Sequence, residues 1–244
     1  MNDRALSILV HGPSKAGKTT FAVTAPYPRL LLDVEAASRF LRVNKVYWDP
    51  TTQKPPVADG TWDTCVVRVH DFNTALKAYD WLKSGQHPFR SVILDSISEL
   101  QVKAQESVNG RERMQTQHWG DLLSKVGFFG RDLRDLTTNP VAPIEAVVIT
   151  AMSKEKGDED HKVMKPALQG QIADQVPYWY DITGYLFVDQ VVDENNTPHE
   201  VRRLLTTKHP NFEAGSRVPG LEPIITAPNI ETMLDTIFGP RVEA

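Results

Sequence analysis

The segment from His11 to Thr20 constrains the fold of this chain more than any other. It carries the pattern G-x-x-x-x-G-K-T and lies between the apolar runs 8–10 (ILV) and 21–23 (FAV). A strand, such a turn and a helix in this order form a phosphate-binding loop, because the backbone N–H groups of the turn and the helix N-terminus point at one anion. The alternative, a glycine-containing turn that only happens to precede a helix, is disfavoured because all these features occur together. The positions predicted to bind phosphate are Gly12, Pro13, Ser14, Lys15, Ala16, Gly17, Lys18, Thr19 and Thr20.

Four residues of this loop have individual predicted roles. Gly12 and Gly17 allow a close approach of the backbone that a Cβ atom would block. Lys18 is expected to reach the β- and γ-phosphates of a nucleotide, and Thr19 to place its hydroxyl on Mg²⁺. The loop therefore predicts ATP and Mg²⁺ as ligands.

The chain length and composition are those of one α/β domain. With 244 residues, of which 41% are hydrophobic, the chain can bury one sizeable core. We predict a single domain over residues 1–244, with a core over about 7–207 and a C-terminal extension over about 208–244. Because the net charge is −4, a nucleic acid or another polyanion would have to meet a local basic patch.

The cysteine and histidine content argues against disulfides and metal clusters. Cys65 is the single cysteine, which excludes an intramolecular disulfide, and its strand-like neighbours predict a buried, unreactive thiol. The seven histidines lack metal-ligand spacing, and each is expected at the surface or as a cap. No N-terminal apolar stretch is long enough for a signal peptide or a membrane span, which predicts a cytoplasmic protein without a membrane partner.

Two further strands are predicted to end in carboxylates near the phosphate loop. The apolar run 30–32 leads into Asp33 and Glu35, and we expect this strand to neighbour the phosphate loop. At the carboxyl edge of a parallel sheet either carboxylate could orient the attacking water, or it could cap the next helix. The run 91–94 ends in Asp95, which is expected to hold Mg²⁺ together with Thr19.

The remaining pattern alternates helices with buried strands, which predicts a mostly parallel twisted sheet with helices on both faces. Helices are predicted at about 72–83, from 97, at 119–136, at 172–180 and at 230–238. Strands are predicted at 65–69, 144–150 and 181–189, the last paired with 201–207 in an antiparallel C-terminal hairpin that closes the sheet. Residues 47–62 are interpreted as a proline-rich surface excursion without assigned chemistry, and the polar residues 153–171 as a mobile functional loop.

Together these features resemble the RecA-like core of P-loop NTPases. The chain is similar to the phage RecA-like single-strand annealing proteins of the Sak type, which are AAA-family ATPases. Residues 12–20 resemble the recombinase phosphate loop, residues 32–35 (LDVE) its strand ending in Asp-Ala-Glu, and residues 92–96 (VILDS) its magnesium strand. The resemblance spans about residues 7–188.

The resemblance implies a DNA-dependent ATPase that binds single-stranded DNA and promotes annealing or strand exchange in phage homologous recombination, in the cytoplasm of the bacterial host. Lys18 would bind the phosphates, Glu35 would activate the attacking water, and Arg217 would complete the site of a neighbouring copy in a ring or filament. Trp119 or Phe128 would stack on bases or belong to the core. A single-strand DNA-binding protein is the implied protein partner. The residues implied in the DNA path are Arg111, Arg113, Lys154, Lys156 and Lys162.

Two departures from the family pattern keep other functions open. Ala151 stands where the family has a glutamine that couples nucleotide state to the DNA loop, and Gly215-Ser216-Arg217 lacks the lysine of a Lys-x-Arg element. One alternative is a nucleotide-dependent assembly switch with little hydrolysis. The other is a small-molecule phosphotransferase, with residues 154–165 as its lid, although the carboxylates at 33 and 35 suit water activation better.

Overall fold

A computed structural model of the chain describes residues 4–110, 112–158, 161–193 and 196–241. The strands are β1 (Leu6–Gly12), β2 (Arg29–Asp33), β3 (Lys45–Tyr47), β4 (Thr64–Arg68), β5 (Ser91–Asp95), β6 (Ala146–Gly157), β7 (Lys162–Pro166), β8 (Ile182–Val192), β9 (Pro198–Leu205), β10 (Gly215–Ser216) and β11 (Ile224–Thr226). The helices are α1 (Lys18–Ala22), α2 (Phe72–Ser84), α3 (Ile97–Asn109), α4 (Thr116–Asp135), α5 (Ile172–Gln175) and α6 (Ile230–Phe238). Single 3-10 turns lie at Ala37–Phe40, Leu136–Thr138 and Val176–Tyr178.

The strands form one mixed sheet in the order β11-β9-β8-β1-β6-β5-β2-β4-β3. All pairs from β8 to β3 are parallel, while β9 pairs with β8, and β11 with β9, in antiparallel fashion. The parallel strands read as continuous apolar runs because helices cover both faces of the sheet. The prediction of an α/β fold with a mostly parallel sheet is therefore confirmed.

A separate hydrophobic core lies on each face of the sheet. On one face Leu9, Leu32 and Leu94 pack with α2, α3, α4 and α5. On the other face Ile8 and Ile93 pack with α1 and α6. Each of these side chains is fully buried, and burial of one such side chain contributes about 2 kcal/mol to folding. Alternate residues of one strand thus anchor helices on opposite faces, which fixes the position of the carboxyl edge between them.

The strand order corrects one prediction about the site. Strand β2, which carries Asp33, does not neighbour β1, because β6 and β5 lie between them. Sequence order did not reveal this, since both strands that separate β1 from β2 come later in the chain. The antiparallel partner of β8 is β9 as predicted, but β9 does not close the sheet, because β11 pairs with its outer side.

The segment predicted as a mobile loop over 153–171 is largely a β-hairpin. Strand β6 continues beyond the sheet to Gly157, and Lys162–Pro166 pairs with it in antiparallel register, with Lys154 opposite Lys165. Met164 packs against an aromatic cluster that includes Phe212, and its backbone exchanges hydrogen bonds with residues 211 and 213. The sequence did not reveal this pairing because the hairpin is rich in charged residues and, of its paired residues 153–157 and 162–166, only Pro166 is buried.

The proline-rich excursion is anchored in the core at its tryptophans. Trp48 and Trp62 are 4% and 7% exposed, and both rings pack against Phe89. Their indole N–H groups donate to the carbonyls of Gln53 and Val57, so the loop itself satisfies the buried donors. The surface interpretation is wrong for these two residues. Cys65 is fully buried on β4, and burial raises the pKa of its thiol to about 12.

Within the described ranges, no helix has the length and apolar character needed to cross a membrane.

Candidate nucleotide-binding site

The loop between β1 and α1 has the backbone shape of an anion cradle. Lys15 and Gly17 both adopt left-handed backbone angles, with φ of 64° and 93°. Residues in this conformation turn neighbouring N–H groups toward a common centre. A Cβ atom added at Gly12 would lie 2.1 Å from the carbonyl oxygen of Leu186 on β8, so β8 packs here directly on backbone. The loop shape thus depends on glycine at both predicted positions.

Lys18 folds back onto the loop. Its Nζ donates to the carbonyl oxygens of Gly12 (3.0 Å) and Pro13 (2.9 Å). Burial lowers the pKa of its ammonium group, and the carboxylates of Glu35 and Asp95 oppose that shift. The ammonium group is therefore held at the mouth of the cradle by groups that a phosphate oxygen can replace.

Asp95 lies in contact with the first turn of α1. Its Oδ2 accepts a hydrogen bond from Thr19 Oγ1 at 2.7 Å, and its Oδ1 accepts one from Thr150 Oγ1 of β6. Burial raises the pKa of the Asp95 carboxyl, with a smaller contribution from Glu35 and Asp33, whereas the two hydroxyl donors lower it. A hydroxyl and a carboxylate in contact suit Mg²⁺, which takes one or two protein ligands besides phosphate oxygens and water. In the described residues, no group of three or more His, Cys, Asp or Glu side chains is arranged to hold a metal ion.

Glu35 and Asp33 have different surroundings. Asp33 pairs with Asp95 in the β2–β5 register and accepts hydrogen bonds from the backbone N–H groups of Ala37 (3.0 Å) and Ser38 (3.2 Å). It therefore caps the following 3-10 turn, as in the alternative role weighed from the sequence. Glu35 is exposed, and its Oε1 accepts a hydrogen bond from Ser96 Oγ at the start of α3. Although β2 is two strands away from β6, the chain beyond its end carries Glu35 into the site.

These groups line one cleft of about 470 Å³ at the carboxyl edge of the sheet. The structure brings together there most of the residues predicted for phosphate, magnesium and water. Met152, Ser153 and Arg202 also line it and were missed. Ser153 lies three residues beyond the predicted end of the strand at residue 150, in the part of β6 that was not predicted, while nothing in the sequence places Arg202 near the phosphate loop. The lining residues are Ser14, Lys15, Gly17, Lys18, Thr19, Thr20, Glu35, Asp95, Met152, Ser153 and Arg202.

His11, directly before Gly12, is buried, which makes the prediction of a surface or capping role wrong for this histidine. Its Nε2 donates to the carbonyl oxygen of Glu213 at 2.7 Å, so Nδ1 is left to accept from Ser153 Oγ at 2.8 Å. Burial lowers the pKa of the imidazole to about 4, and the neutral ring satisfies both partners. The histidine thereby connects the phosphate loop to the β6–β7 hairpin and to the segment before β10.

Arg217 lies away from the cleft of its own chain. It follows Ser216, which pairs with Ile182 near the beginning of β8, whereas the phosphate loop follows the end of β1. Its guanidinium donates to the carbonyl oxygens of Tyr178 (2.9 Å) and Tyr180 (3.0 Å), and its side chain is 59% exposed.

The residues predicted for DNA are spread over two regions. Arg113 is exposed in the turn between α3 and α4, and Arg111 lies outside the described residues. Lys154, on the hairpin, donates to the carbonyl oxygen of Leu168, Lys156 pairs with Asp174 at 2.8 Å, and Lys162 pairs with Glu155 at 3.5 Å. Trp119 is 40% exposed and Phe128 65% exposed, so neither belongs to the core.

A parallel sheet, a cradle of left-handed backbone after its first strand, and a lysine and threonine beside a strand-end aspartate define a P-loop nucleotide-binding protein. The chain belongs to the AAA domain family, whose domain matches residues 4–218. The matched range includes every element from β1 to β10 and therefore the whole cleft. The family assignment supports a nucleotide-binding ATPase domain. No curated protein matches the chain.

Proposed function

We propose that the protein binds ATP with Mg²⁺ and hydrolyses it. The observation that carries this proposal is that Lys18, Thr19, Asp95 and Glu35, which come from three separate segments, line the same cleft. Lys18 exchanges its two carbonyl acceptors for phosphate oxygens, and Thr19 and Asp95 hold the metal ion. When bound, Mg²⁺ neutralises charge on the β- and γ-phosphate oxygens.

Glu35 supplies the base that orients the attacking water. Of the two carboxylates that line the cleft, Asp95 accepts a hydrogen bond from Thr19 and Glu35 does not. A hydrogen bond from Ser96 fixes the orientation of the Glu35 side chain. A water held by Glu35 can be aligned with the γ-phosphate. The carboxylate accepts a proton of that water as its oxygen bonds to the γ-phosphorus and the bond from this phosphorus to the bridging oxygen breaks, which releases ADP and phosphate.

Substitutions of Glu35 and Lys18 test this division of roles. Glu35→Gln should retain ATP binding while turnover falls by about two to three orders of magnitude, because positioning remains and the base is lost. Lys18→Ala should lose ATP binding. Equilibrium binding of ATP and steady-state phosphate release measure the two quantities. An unchanged rate in Glu35→Gln would remove Glu35 from the mechanism, whereas a wild type that binds ATP but releases hardly any phosphate would favour the switch with little hydrolysis.

We propose further that the protein binds single-stranded DNA and promotes annealing or strand exchange in phage recombination. This rests on the resemblance of the motifs, and the hairpin geometry supports it. The β6–β7 hairpin begins at Ser153 in the cleft and carries Lys154, Lys156 and Lys162, so DNA on the hairpin and nucleotide in the cleft would share one element. A single-strand DNA-binding protein remains the proposed protein partner.

The DNA proposal is tested by binding of a labelled oligonucleotide at two salt concentrations, with and without ATP. Binding should weaken as salt rises, because lysine contacts to phosphates release counterions. The double variant Lys156→Ala, Lys162→Ala should weaken DNA binding further. The control is the double variant Lys77→Ala, Lys83→Ala, which removes the same charge from α2. DNA that neither binds nor changes the rate of hydrolysis would contradict this proposal and leave the ATPase proposal standing.

We also propose that copies of the chain assemble in a ring or filament in which Arg217 completes a neighbour's site. The exposure of Arg217 and its distance from its own phosphate loop along the sheet support a role in another copy. Mixing Lys18→Ala chains with Arg217→Ala chains should then restore part of the activity that each lacks alone, since one mixed interface carries both intact groups. Full activity of Arg217→Ala by itself would contradict the proposal.

A further inference from the structure

Arg202 extends from β9 onto the phosphate loop of its own chain. It pairs with Val188 in the β8–β9 ladder, and β8 in turn pairs with β1. A Cβ atom added at Gly17 would lie 2.3 Å from Arg202 Nε and 3.1 Å from its Cζ. The guanidinium therefore lies against the loop backbone, at a point that only glycine leaves open.

The guanidinium of Arg202 is free to bind a ligand. Among the residues that the structure describes, no carbonyl or carboxylate accepts a hydrogen bond from its side chain, and no carboxylate lies within ion-pair distance. The adjacent Arg203 is different, because it projects to the other face of β9 and pairs with Asp189 at 3.3 Å. Arg203 thus has a structural partner, whereas Arg202 has unused hydrogen-bond donors in the cleft.

Arg202 also lies at the junction of two clefts. The cleft that holds Lys18 and Thr19 shares Lys15, Thr20 and Arg202 with a second cleft of about 460 Å³. Phe21 and Val201 contribute apolar surface to this second cleft. The two clefts together form a groove with a charged end, suited to phosphates, and a less polar end, suited to a nucleoside.

We propose that Arg202 binds the phosphate chain of the nucleotide held in its own subunit, on the side nearer to the nucleoside. The inference rests on the proposed function and adds a second cation to Lys18, on the opposite side of the cradle from Glu35 and Asp95. The planar fork of donors on a guanidinium can contact oxygens of two adjacent phosphates, which a single ammonium cannot match in geometry. Because Arg202 lies at the junction of the two clefts, its loss should weaken the binding of ADP as much as the binding of ATP.

The test compares Arg202→Ala, Arg202→Lys and the control Arg203→Ala by equilibrium binding of ATP, ADP and adenosine in the presence of Mg²⁺. Arg202→Ala should weaken ATP and ADP about ten- to hundredfold, the range typical of a lost charge-assisted hydrogen bond, and leave adenosine unchanged. Arg202→Lys should recover part of the loss. Arg203→Ala should stay within about threefold of the wild type, since its side chain faces away from the cleft.

The outcomes separate this inference from the proposed function. If the wild type binds neither ATP nor ADP, the proposed function fails and the inference fails with it. If the wild type binds both and Arg202→Ala binds them equally well, only the inference is overturned. A loss confined to ATP would overturn the position assigned here, because it would put the guanidinium on the terminal phosphate. Circular dichroism of each variant checks that a loss of nucleotide binding is not caused by a loss of folding. Arg202→Lys, which keeps the positive charge, provides a second test of the same role.

Discussion

Gly12 contacts the backbone of β8 at the point where the phosphate loop leaves β1. A Cβ atom there would lie 2.1 Å from a carbonyl oxygen, which cannot move without displacing the strand. We expect Gly12→Ala to lower the free energy of unfolding by about 2–3 kcal/mol, as in other overpacked sites.

Gly120 on α4 provides the matched control for this prediction. Apart from the chain neighbours of Gly120 and the backbone of α4, no atom of the described residues lies within 4 Å of a Cβ atom added there, so Gly120→Ala should stabilise the protein by about 0.5–1 kcal/mol. Urea unfolding measures both changes. Equal effects at the two glycines would contradict the assignment of Gly12 to a backbone contact.

His11 makes stability depend on pH. Its pKa is about 4 in the folded protein and about 6.5 in the unfolded chain, so between these values the unfolded chain binds a proton that the folded protein does not. Stability should therefore be complete above about pH 6.5 and fall as the pH drops toward 4, by on the order of 3 kcal/mol.

His11→Gln should reduce this dependence in urea unfolding measured from pH 7.5 to 4. The glutamine lowers stability at neutral pH because it fits the two partners less well, but it does not titrate in this range. His199→Gln, a change at an exposed position on β9, should leave the dependence intact. A slope that is the same in all three proteins would show that the proton is not taken up at His11.

At the scale of elements, the β6–β7 hairpin holds three of its lysines, Lys156, Lys162 and Lys165, in ion pairs that a nucleic acid could replace. Asp174 contacts both Lys156 at 2.8 Å and Lys165 at 3.3 Å, and all of these groups are at least partly exposed. Exposed pairs of this kind contribute about 0–1 kcal/mol, so Asp174→Asn should change stability little. Since it frees Lys156 and leaves Lys165 with Glu213 as its only carboxylate partner among the described residues, the same change should strengthen binding of single-stranded DNA severalfold.

Asp80→Asn on α2 is the control for this change. It removes the same charge from an exposed pair with Lys77. Fluorescence anisotropy of a labelled oligonucleotide, at two salt concentrations, distinguishes a local effect from one of net charge. If both variants bind DNA equally, the hairpin lysines are not the DNA contacts.

The elements that could be predicted are those in which one sequence signal corresponds to one local structure. The phosphate loop has that property, and so has α6, whose bounds 230–238 were predicted as they occur. The β6–β7 hairpin was missed because many of its paired residues are charged and most are exposed or half-buried, so they show no alternation of apolar and polar side chains. The order of the strands could not be read from the chain, and therefore neither could the place of β2 beyond β5 and β6.

The same distinction applies to the candidate site. Lys18, Thr19 and Asp95 belong to motifs with a fixed spacing, and they meet in the structure. Arg202 belongs to no motif. It reaches the loop because β9 pairs with β8 and β8 with β1, and such a chain of long-range pairings has no local signature in the sequence.

For the whole molecule, nucleotide binding should be visible as thermal stability. A ligand that binds only the folded protein stabilises it by about 2.7 kcal/mol at a concentration of one hundred times its Kd. For a domain of this size that corresponds to a rise in Tm of roughly 5–10 °C. ATP with Mg²⁺ should produce this shift in the wild type, measured by differential scanning fluorimetry.

The Lys18→Ala protein should show no shift at the same ATP concentration, and its own Tm should change little, because Lys18 contacts only loop carbonyls in the absence of nucleotide. A shift in this variant equal to that of the wild type would indicate that ATP binds elsewhere on the protein.

The burial of Cys65 has a practical consequence for spectroscopy. The chain has one thiol, which lies inside the sheet with a pKa of about 12, so a maleimide dye would leave it unmodified while the protein is folded. A cysteine introduced at Lys162, at the end of the β6–β7 hairpin, would be the reactive position, with no need to remove the native one. A fluorophore attached there would report directly on whether nucleotide in the cleft changes the environment of the hairpin.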